Sequence, residues 1–308
     1  NAKCKALTPE YVNTATGLEL HQFKWLADES LIGEIPPRWN HLVGRLQKQL
    51  EAPRPDFYDE VVWTFLLGLS YGADGWEGIR KLESILSGAK VDPSVEHPLW
   101  LEALPVPPRK SEGNTNVDLA IGAITGRAGK DGGIAYDPSL GSSVTFCEMK
   151  WYSDISKNVT HDQHRNQLSR VIENAVTFQS AGRLEKTESE RHFVEKVTVT
   201  LVTPQIFVGT EPKSRLYHYK LEEYQNQGIL LREWQRSYNR MPKRFQADWT
   251  YPDEAHLLDI LKNRFTLKHL SFEELFRQAP ESAFTPLLAE FLKRFNGSTG
   301  LFGDDALV

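Results

Sequence analysis

Between residues 56 and 73, Val61, Val62, Phe65, Leu66 and Leu69 recur at the three- and four-residue intervals of a helix that buries one face. The same spacing predicts helices over 18–32, 39–51 and 76–87, with Pro36 and Pro37 between the first two and Gly88 closing the last. Pro93, Pro98, Pro105, Pro107 and Pro108 then punctuate a passage into a different pattern. Residues 117–124, 144–151 and 197–202 read as strands, with a glycine-heavy turn over 126–133 between the first two. One helix, predicted over 160–181, separates the second strand from the third. Thr160 and Gln163 have capping-box spacing, Leu168, Val171, Ile172, Ala175 and Phe178 make the apolar stripe, and Gly182 supplies the stop. Toward the C-terminus the pattern is helical again. Ser271 with Glu274 opens one helix, and Thr285 with Pro286 opens another that Asn296 and Gly297 end. Interleaved strands and helices predict an α/β or α+β architecture around a mixed sheet.

Composition narrows the class. The 308 residues are 40% hydrophobic and 25% charged, globular values that exclude disordered, collagen-like and disulfide-scaffold chains. The charge-free run 61–73 is 13 residues, short of the roughly 20 that cross a bilayer. Cys4 and Cys147 allow at most one disulfide, and no charged-then-apolar signal segment opens the chain, so a reducing, cytoplasmic location is expected. The net charge of −5 argues against a highly basic nucleic-acid coat. Its distribution says more. Residues 205–245 carry eight Lys and Arg against four Asp and Glu, between two acidic stretches. There Tyr217, Tyr219, Tyr224, Trp234, Tyr238 and Phe245 interleave with the basic residues, among them Arg236, Arg240, Lys243 and Arg244. Basic groups can set register on phosphates and exposed rings can stack on bases, so the segment is a candidate nucleic-acid contact, with at least half of its rings expected in the core.

Two strand segments carry chemistry. Asp118 is embedded among Val117, Leu119, Ala120 and Ile121. Glu148 and Lys150 sit two apart, which on a strand puts both on one face while Cys147 and Met149 point into the opposite layer. A buried carboxylate is costly unless something neutralises it. The economical partner is Mg²⁺ (or Mn²⁺), which takes one or two carboxylates plus waters and phosphate oxygens. Asp118 and Glu148 would be its ligands, with the Met149 carbonyl as a third oxygen, and Lys150 the cation that positions a nucleophile or offsets developing charge. A second Glu-x-Lys, at Glu211, contains Pro212 and follows Gly209, so it belongs in a turn with no strand to align it.

With these residues the chain resembles the PD-(D/E)XK nuclease superfamily, the fold of type II restriction enzymes and many repair and phage nucleases. Asp118 matches the metal-binding Asp, Glu148 the second acid and Lys150 the lysine; the two acids are thirty residues apart, room for the hairpin that the family places there. Val117 stands where the family name has Pro, a departure that many members share. The resemblance covers about residues 99–208. It implies a restriction-endonuclease-like core of order αβββαβ with helical additions at both ends. The regions are then 1–98, helical and including a first core helix at 56–73; 99–245, the nuclease-like sheet with the basic aromatic segment; and 246–308, a C-terminal helical appendage.

The resemblance implies a Mg²⁺-dependent endonuclease acting on DNA, of restriction, repair or mobile-element type. A homodimer is a natural assembly, because two strands need two sites. Some members carry a further metal-assisting Glu on the first core helix; here that is Glu60, with Glu77 and Glu19 behind it. On the helix after the Glu-x-Lys strand, Gln163, Gln167, Arg170 and Asn174 recur at intervals of four, three and four as a polar stripe beside the apolar one. Gln163, Gln167 and Arg170 are the expected active-site support there. The alternative is a non-catalytic nucleic-acid-binding module on the same fold. His161 and His164 lack a third zinc ligand at suitable spacing, and Gly129 with Lys130 fails the Walker A pattern at Ile124 and Asp131.

Overall fold

A computed structural model describes residues 6–7, 60–106, 108, 115–127, 133–151, 165–180, 192–209, 217–240, 254–282, 284–286, 288–289 and 292. The helices expected over 18–32 and 39–51, the Thr160 cap, the Gly182 stop and the Glu211 turn lie outside the described residues.

The first described helix, α1 (Glu60–Gly72), is buried on every side from Val62 onward, as a helix with no charge after its first residue must be. It turns into α2 (Gly75–Ser87). A Cβ on Gly78 would stand 1.9 Å from the Tyr71 carbonyl oxygen, so only glycine lets the two helices approach this closely. Gly88 ends α2 as expected, at φ 71°, with its N–H on the Ser84 carbonyl.

Strands β1 (Ala6–Leu7), β2 (Leu99–Ala103), β3 (Val117–Gly122), β6 (Ser143–Met149), β7 (Lys196–Thr203) and β8 (Phe265–Ser271) form one sheet in the order β1-β2-β3-β6-β7-β8. The first four pair antiparallel, whereas β7 runs parallel to both β6 and β8, so the sheet is mixed. A two-stranded ribbon of β4 (Ile124–Gly126) and β5 (Ile134–Tyr136) stands between β3 and β6 in the chain. Leu119, Ile121, Cys147, Met149 and Val202 pack against α1 and α2, as the alternation predicts. Ala120, Val144, Phe146, Val199 and Leu201 pack on the opposite layer, which holds α3 (Gln167–Val176), α4 (His218–Tyr224), α5 (Gln227–Arg240) and α6 (Glu254–Asp259). The protein is therefore a mixed α/β fold in three layers. None of its described helices is long and apolar enough to cross a membrane.

Three elements differ from the sequence expectation. Helix α3 begins at Gln167, not at Thr160. Asn166 is extended and its side chain accepts the Ser169 N–H at 2.8 Å, which fixes the start. It also ends at Val176, because the Phe178 ring turns onto Phe146 in the core and Gln179 bridges to Phe193. Second, Leu99–Ala103 is a strand inside the proline-punctuated passage, to which the periodicity assigned no element.

Third, the region 246–308 is no helical appendage over its described part. Phe265–Ser271 is an edge strand of the main sheet, and helix α7 (Phe272–Arg277) places Phe272 and Phe276 on Trp63. Trp63 in turn stacks on Trp151 at 5.2 Å, and the Tyr71 hydroxyl donates to the Leu275 carbonyl. Burying these rings inside the first core is what draws the C-terminal chain into the sheet. The Ser271 cap itself is as predicted, accepting the Glu274 N–H at 3.0 Å.

At the foot of the sheet, His97 is buried with both ring nitrogens on acceptors: Nδ1 lies 2.9 Å from Glu83 Oε1, and Nε2 lies 3.0 Å from the Leu140 carbonyl. Burial alone would lower its pKa, but the Glu83 bond and charge, with the Leu140 carbonyl, hold it above the ordinary value. Two acceptors select the doubly protonated ring. Because the folded-state pKa is raised, this stabilisation is complete below about pH 6.5, the unfolded value, and is lost as pH rises through the folded one. Thermal unfolding should therefore give a Tm that falls as pH rises from 6 toward 8, and His97→Gln should flatten that slope.

Candidate active site

The antiparallel register of β3 and β6 pairs Leu119 with Cys147; continued one residue, it sets Asp118 opposite Glu148 at the C-terminal end of β6. The Lys150 N–H donates to the Val202 carbonyl at 2.9 Å, which carries the β6–β7 pairing one residue past the strand. Glu148 and Lys150 therefore meet, with Lys150 Nζ 2.8 Å from Glu148 Oε1. Glu60, the first residue of α1, reaches the same point. Its Oε1 accepts the Trp151 N–H at 2.8 Å and its Oε2 stands 3.4 Å from Lys150 Nζ. Four groups singled out in the sequence, from three elements far apart in the chain, thus converge on one locus. Trp151, stacked on Trp63 of α1, anchors the strand end to the helix that delivers Glu60.

The locus is dry. Glu148 is 0% exposed and Lys150 4%, while Asp118 sits half-buried at the edge. The Asp118 Oδ2 accepts the Met149 N–H at 2.7 Å, and Glu148 faces the Lys150 ammonium through Oε1. Burial, together with the Glu148 charge, pushes the Asp118 carboxyl well above the usual range, against the pull of Lys150. Burial also raises Glu148, with Lys150 and Arg170 opposing. For Lys150 burial acts downward, but the charges of Glu148, Asp118 and Glu60 win and raise its pKa, so it stays an ammonium. Three carboxyl groups thus gather about one ammonium, and the raised Asp118 and Glu148 carboxyls mark the cost of ionising them together.

A hard divalent cation would offset that cost. Asp118 and Glu148 face each other across a strand pair, and the buried Glu148 Oε2 has no hydrogen-bond partner among the described residues, a state that usually calls for an ion or a water. No cluster of three or more His, Cys, Asp or Glu groups suited to holding a metal occurs among the described residues. A Mg²⁺ site needs fewer, since this ion keeps several waters and takes one or two carboxylates.

The remaining candidates divide. On α3, Arg170 is half-buried and its charge acts on Glu148, while Gln167 opens the helix, half-buried. Asn174, expected in the same polar stripe, is fully buried and donates to the Arg170 carbonyl at 2.8 Å, so it supports the helix and does not face a cleft. Glu77 is exposed in the first turn of α2, at the other end of α1 from Glu60. Arg236 and Arg240 are exposed on α5. Glu19, Gln163, His161, His164, Gly129, Lys130, Lys243 and Arg244 lie outside the described residues.

A buried polar network beside the site was missed. Asn166 Nδ2 donates to the Tyr224 hydroxyl at 2.7 Å, that hydroxyl donates to both Glu233 oxygens at 3.0 Å, and the Trp234 indole N–H donates to Ser169 Oγ at 3.0 Å. Arg165 and Glu173 form an ion pair within the same layer, both buried. Asn166 followed three residues later by Ser169 is an N-cap signal that could have been read; the partners across α4 and α5 had none.

No protein-family model and no solved structure matches the chain. One 42-residue stretch is 60% identical to part of Protein CDI of Arabidopsis thaliana, covering 14% of this chain and 16% of that protein. So short a match carries no argument for the site.

The charge balance predicts an asymmetry. Lys150→Met, which leaves the carboxylates facing one another without their cation, should cost about 3 kcal/mol of unfolding free energy in metal-free urea titrations. Asp118→Asn keeps an acceptor for the Met149 N–H and relieves repulsion with Glu148, so its cost should stay below about 1 kcal/mol.

Proposed function

We propose that this protein is a metal-dependent nuclease of the PD-(D/E)XK type, with a restriction-endonuclease-like core, that hydrolyses phosphodiester bonds in DNA. The observation that carries the reading is the convergence of Asp118, Glu148 and Lys150, with Glu60 at the same point, on the end of one strand pair. The element order around it supports the same reading: α1, then β2, β3 and β6, then α3 and β7.

Asp118 and Glu148 would hold the divalent ion, and Glu60 would reach it from α1. When bound, the ion supplies a Lewis acid for the scissile phosphate and lowers the pKa of a coordinated water. The chain's own groups do the rest. Lys150, held charged by its neighbours, places a compact positive charge where the attacked phosphate gains negative charge, in a site dry enough for that charge to count. Arg170 lies on the α3 side of Glu148, where its charge would add to that of Lys150. The Trp151 N–H fixes the rotamer of Glu60, and the β6–β7 pairing fixes Lys150. Together these effects must remove on the order of 20 kcal/mol of barrier.

Incubating the protein with DNA and Mg²⁺ or Mn²⁺ should give nicked or cut product. Glu148→Ala and Lys150→Ala should each lower the rate by about a thousand-fold or more at unchanged DNA binding. Cleavage that survives both substitutions refutes the assignment. DNA binding by wild-type protein with no Mn²⁺ uptake in calorimetry would favour the non-catalytic module.

A further inference from the structure

The basic segment is ambiguous as sequence, because interleaved rings and cations suit single strands and duplexes alike. Its packing separates the two. Tyr217 and Tyr224 are 0% exposed and Trp234 is 1% exposed. The Trp234 indole N–H is committed to Ser169 and the Tyr224 hydroxyl to Glu233. Phe207 packs edge-on against Tyr217 inside the layer. The described large hydrophobic left exposed here is Tyr219, with the Lys220 ammonium 5.6 Å from its ring centre. Among the described residues, successive bases would find no row of rings to stack on.

What α5 turns outward is charge. Leu230, Trp234 and Ser237 face the core, so at 100° per residue Arg232 and Arg236 lie on the opposite side, with Arg240 continuing the line. All three are exposed, at four-residue steps that are about 6 Å along the helix axis. The two acids that line one cleft with Arg232 and Arg236, Glu223 and Glu233, have partners of their own. Glu223 pairs with Lys220 at 2.6 Å, and Glu233 accepts the Tyr224 hydroxyl from a half-buried position. A duplex presents one strand charge per about 3.4 Å of axis, so a helix face about 12 Å long meets several phosphates.

The face is also fixed relative to the site. Asn166 and Ser169, in the cap and first turn of α3, are bonded to Tyr224 of α4 and Trp234 of α5. Arg170, whose charge acts on Glu148, is the next residue.

We propose that the outer face of α5, centred on Arg232 and Arg236, is a rail for the phosphate backbone of double-stranded DNA, gripping it without reading bases and holding it in register with the Glu148 site. This deepens the nuclease reading and rests on it for the choice of polyanion. The class of substrate is thereby duplex and not single-stranded.

The test is fluorescence anisotropy of the full chain in EDTA, with a labelled duplex of about 25 base pairs and a single strand of equal length, across about 50–300 mM NaCl. The duplex should bind more tightly. Log affinity against log salt should lose about one unit of slope in Arg236→Ala and about two in the Arg232→Ala, Arg236→Ala double variant, at unchanged Tm. The double Arg→Lys variant should restore the slope. Wild-type slope in the double alanine variant overturns the rail, as does tighter single-strand binding that Tyr219→Ala weakens. Mn²⁺ cleavage by the wild-type protein is scored separately. Cleavage with an unchanged slope removes the rail and leaves the nuclease; a lost slope without wild-type cleavage keeps the rail and removes the nuclease.

Discussion

The Lys150 ammonium is the group on which the site depends. It holds together carboxylates that would otherwise repel one another: Glu148 at 2.8 Å, Glu60 at 3.4 Å and Asp118 across the strand pair. Their shared burial makes the cluster expensive, since a charge removed from water is tolerated only where an opposite charge replaces the solvent. One cation against three carboxyl groups does not balance. That imbalance costs stability, and burial shows it by raising the Asp118 and Glu148 carboxyls.

Each arm of the cluster is set by a different kind of force. Backbone pairing places Asp118 and Glu148, because the β3–β6 register leaves no freedom to slide without turning every core side chain outward. Aromatic packing places Glu60: the Trp63–Trp151 stack locks the first turn of α1 against the end of β6. The C-terminal α7 closes the same aromatic group through Phe272 and Phe276, so a segment some 120 residues beyond Lys150 helps hold the site's geometry. Hydrogen bonds place α3. Its cap residue Asn166 and its Ser169 are tied to α4 and α5, which makes the helix beside Glu148 and the arginine face of α5 parts of one layer.

Much of this was legible from side-chain periodicity, and the places where it was not have a common cause. The α1 helix, the Gly88 stop, the Ser271 cap and the β3, β6 and β7 strands are local patterns, and they appear where the pattern put them. Strand β8 was hidden because Phe265, Leu267, Lys268 and His269 do not alternate cleanly; a half-exposed edge strand takes its identity from its neighbour β7. The pattern ran one helix from 160 to 181, whereas the extended Asn166, whose side chain reaches an orphan N–H, starts α3 at Gln167. In the basic segment the order of residues is silent on which rings are buried, and so on whether it offers bases a stack or phosphates a row of cations.

The sequence by itself determined which residues are candidates for chemistry and that they stand on strands: an acid in an apolar run and a Glu-x-Lys pair are statements about neighbours one or two positions away. Tertiary structure alone decided that Asp118 opposes Glu148, that Glu60 joins them, and that the C-terminal chain enters the sheet. Those outcomes depend on register and on aromatic burial between segments far apart in the chain, where the free energy lies in contacts that no local pattern encodes.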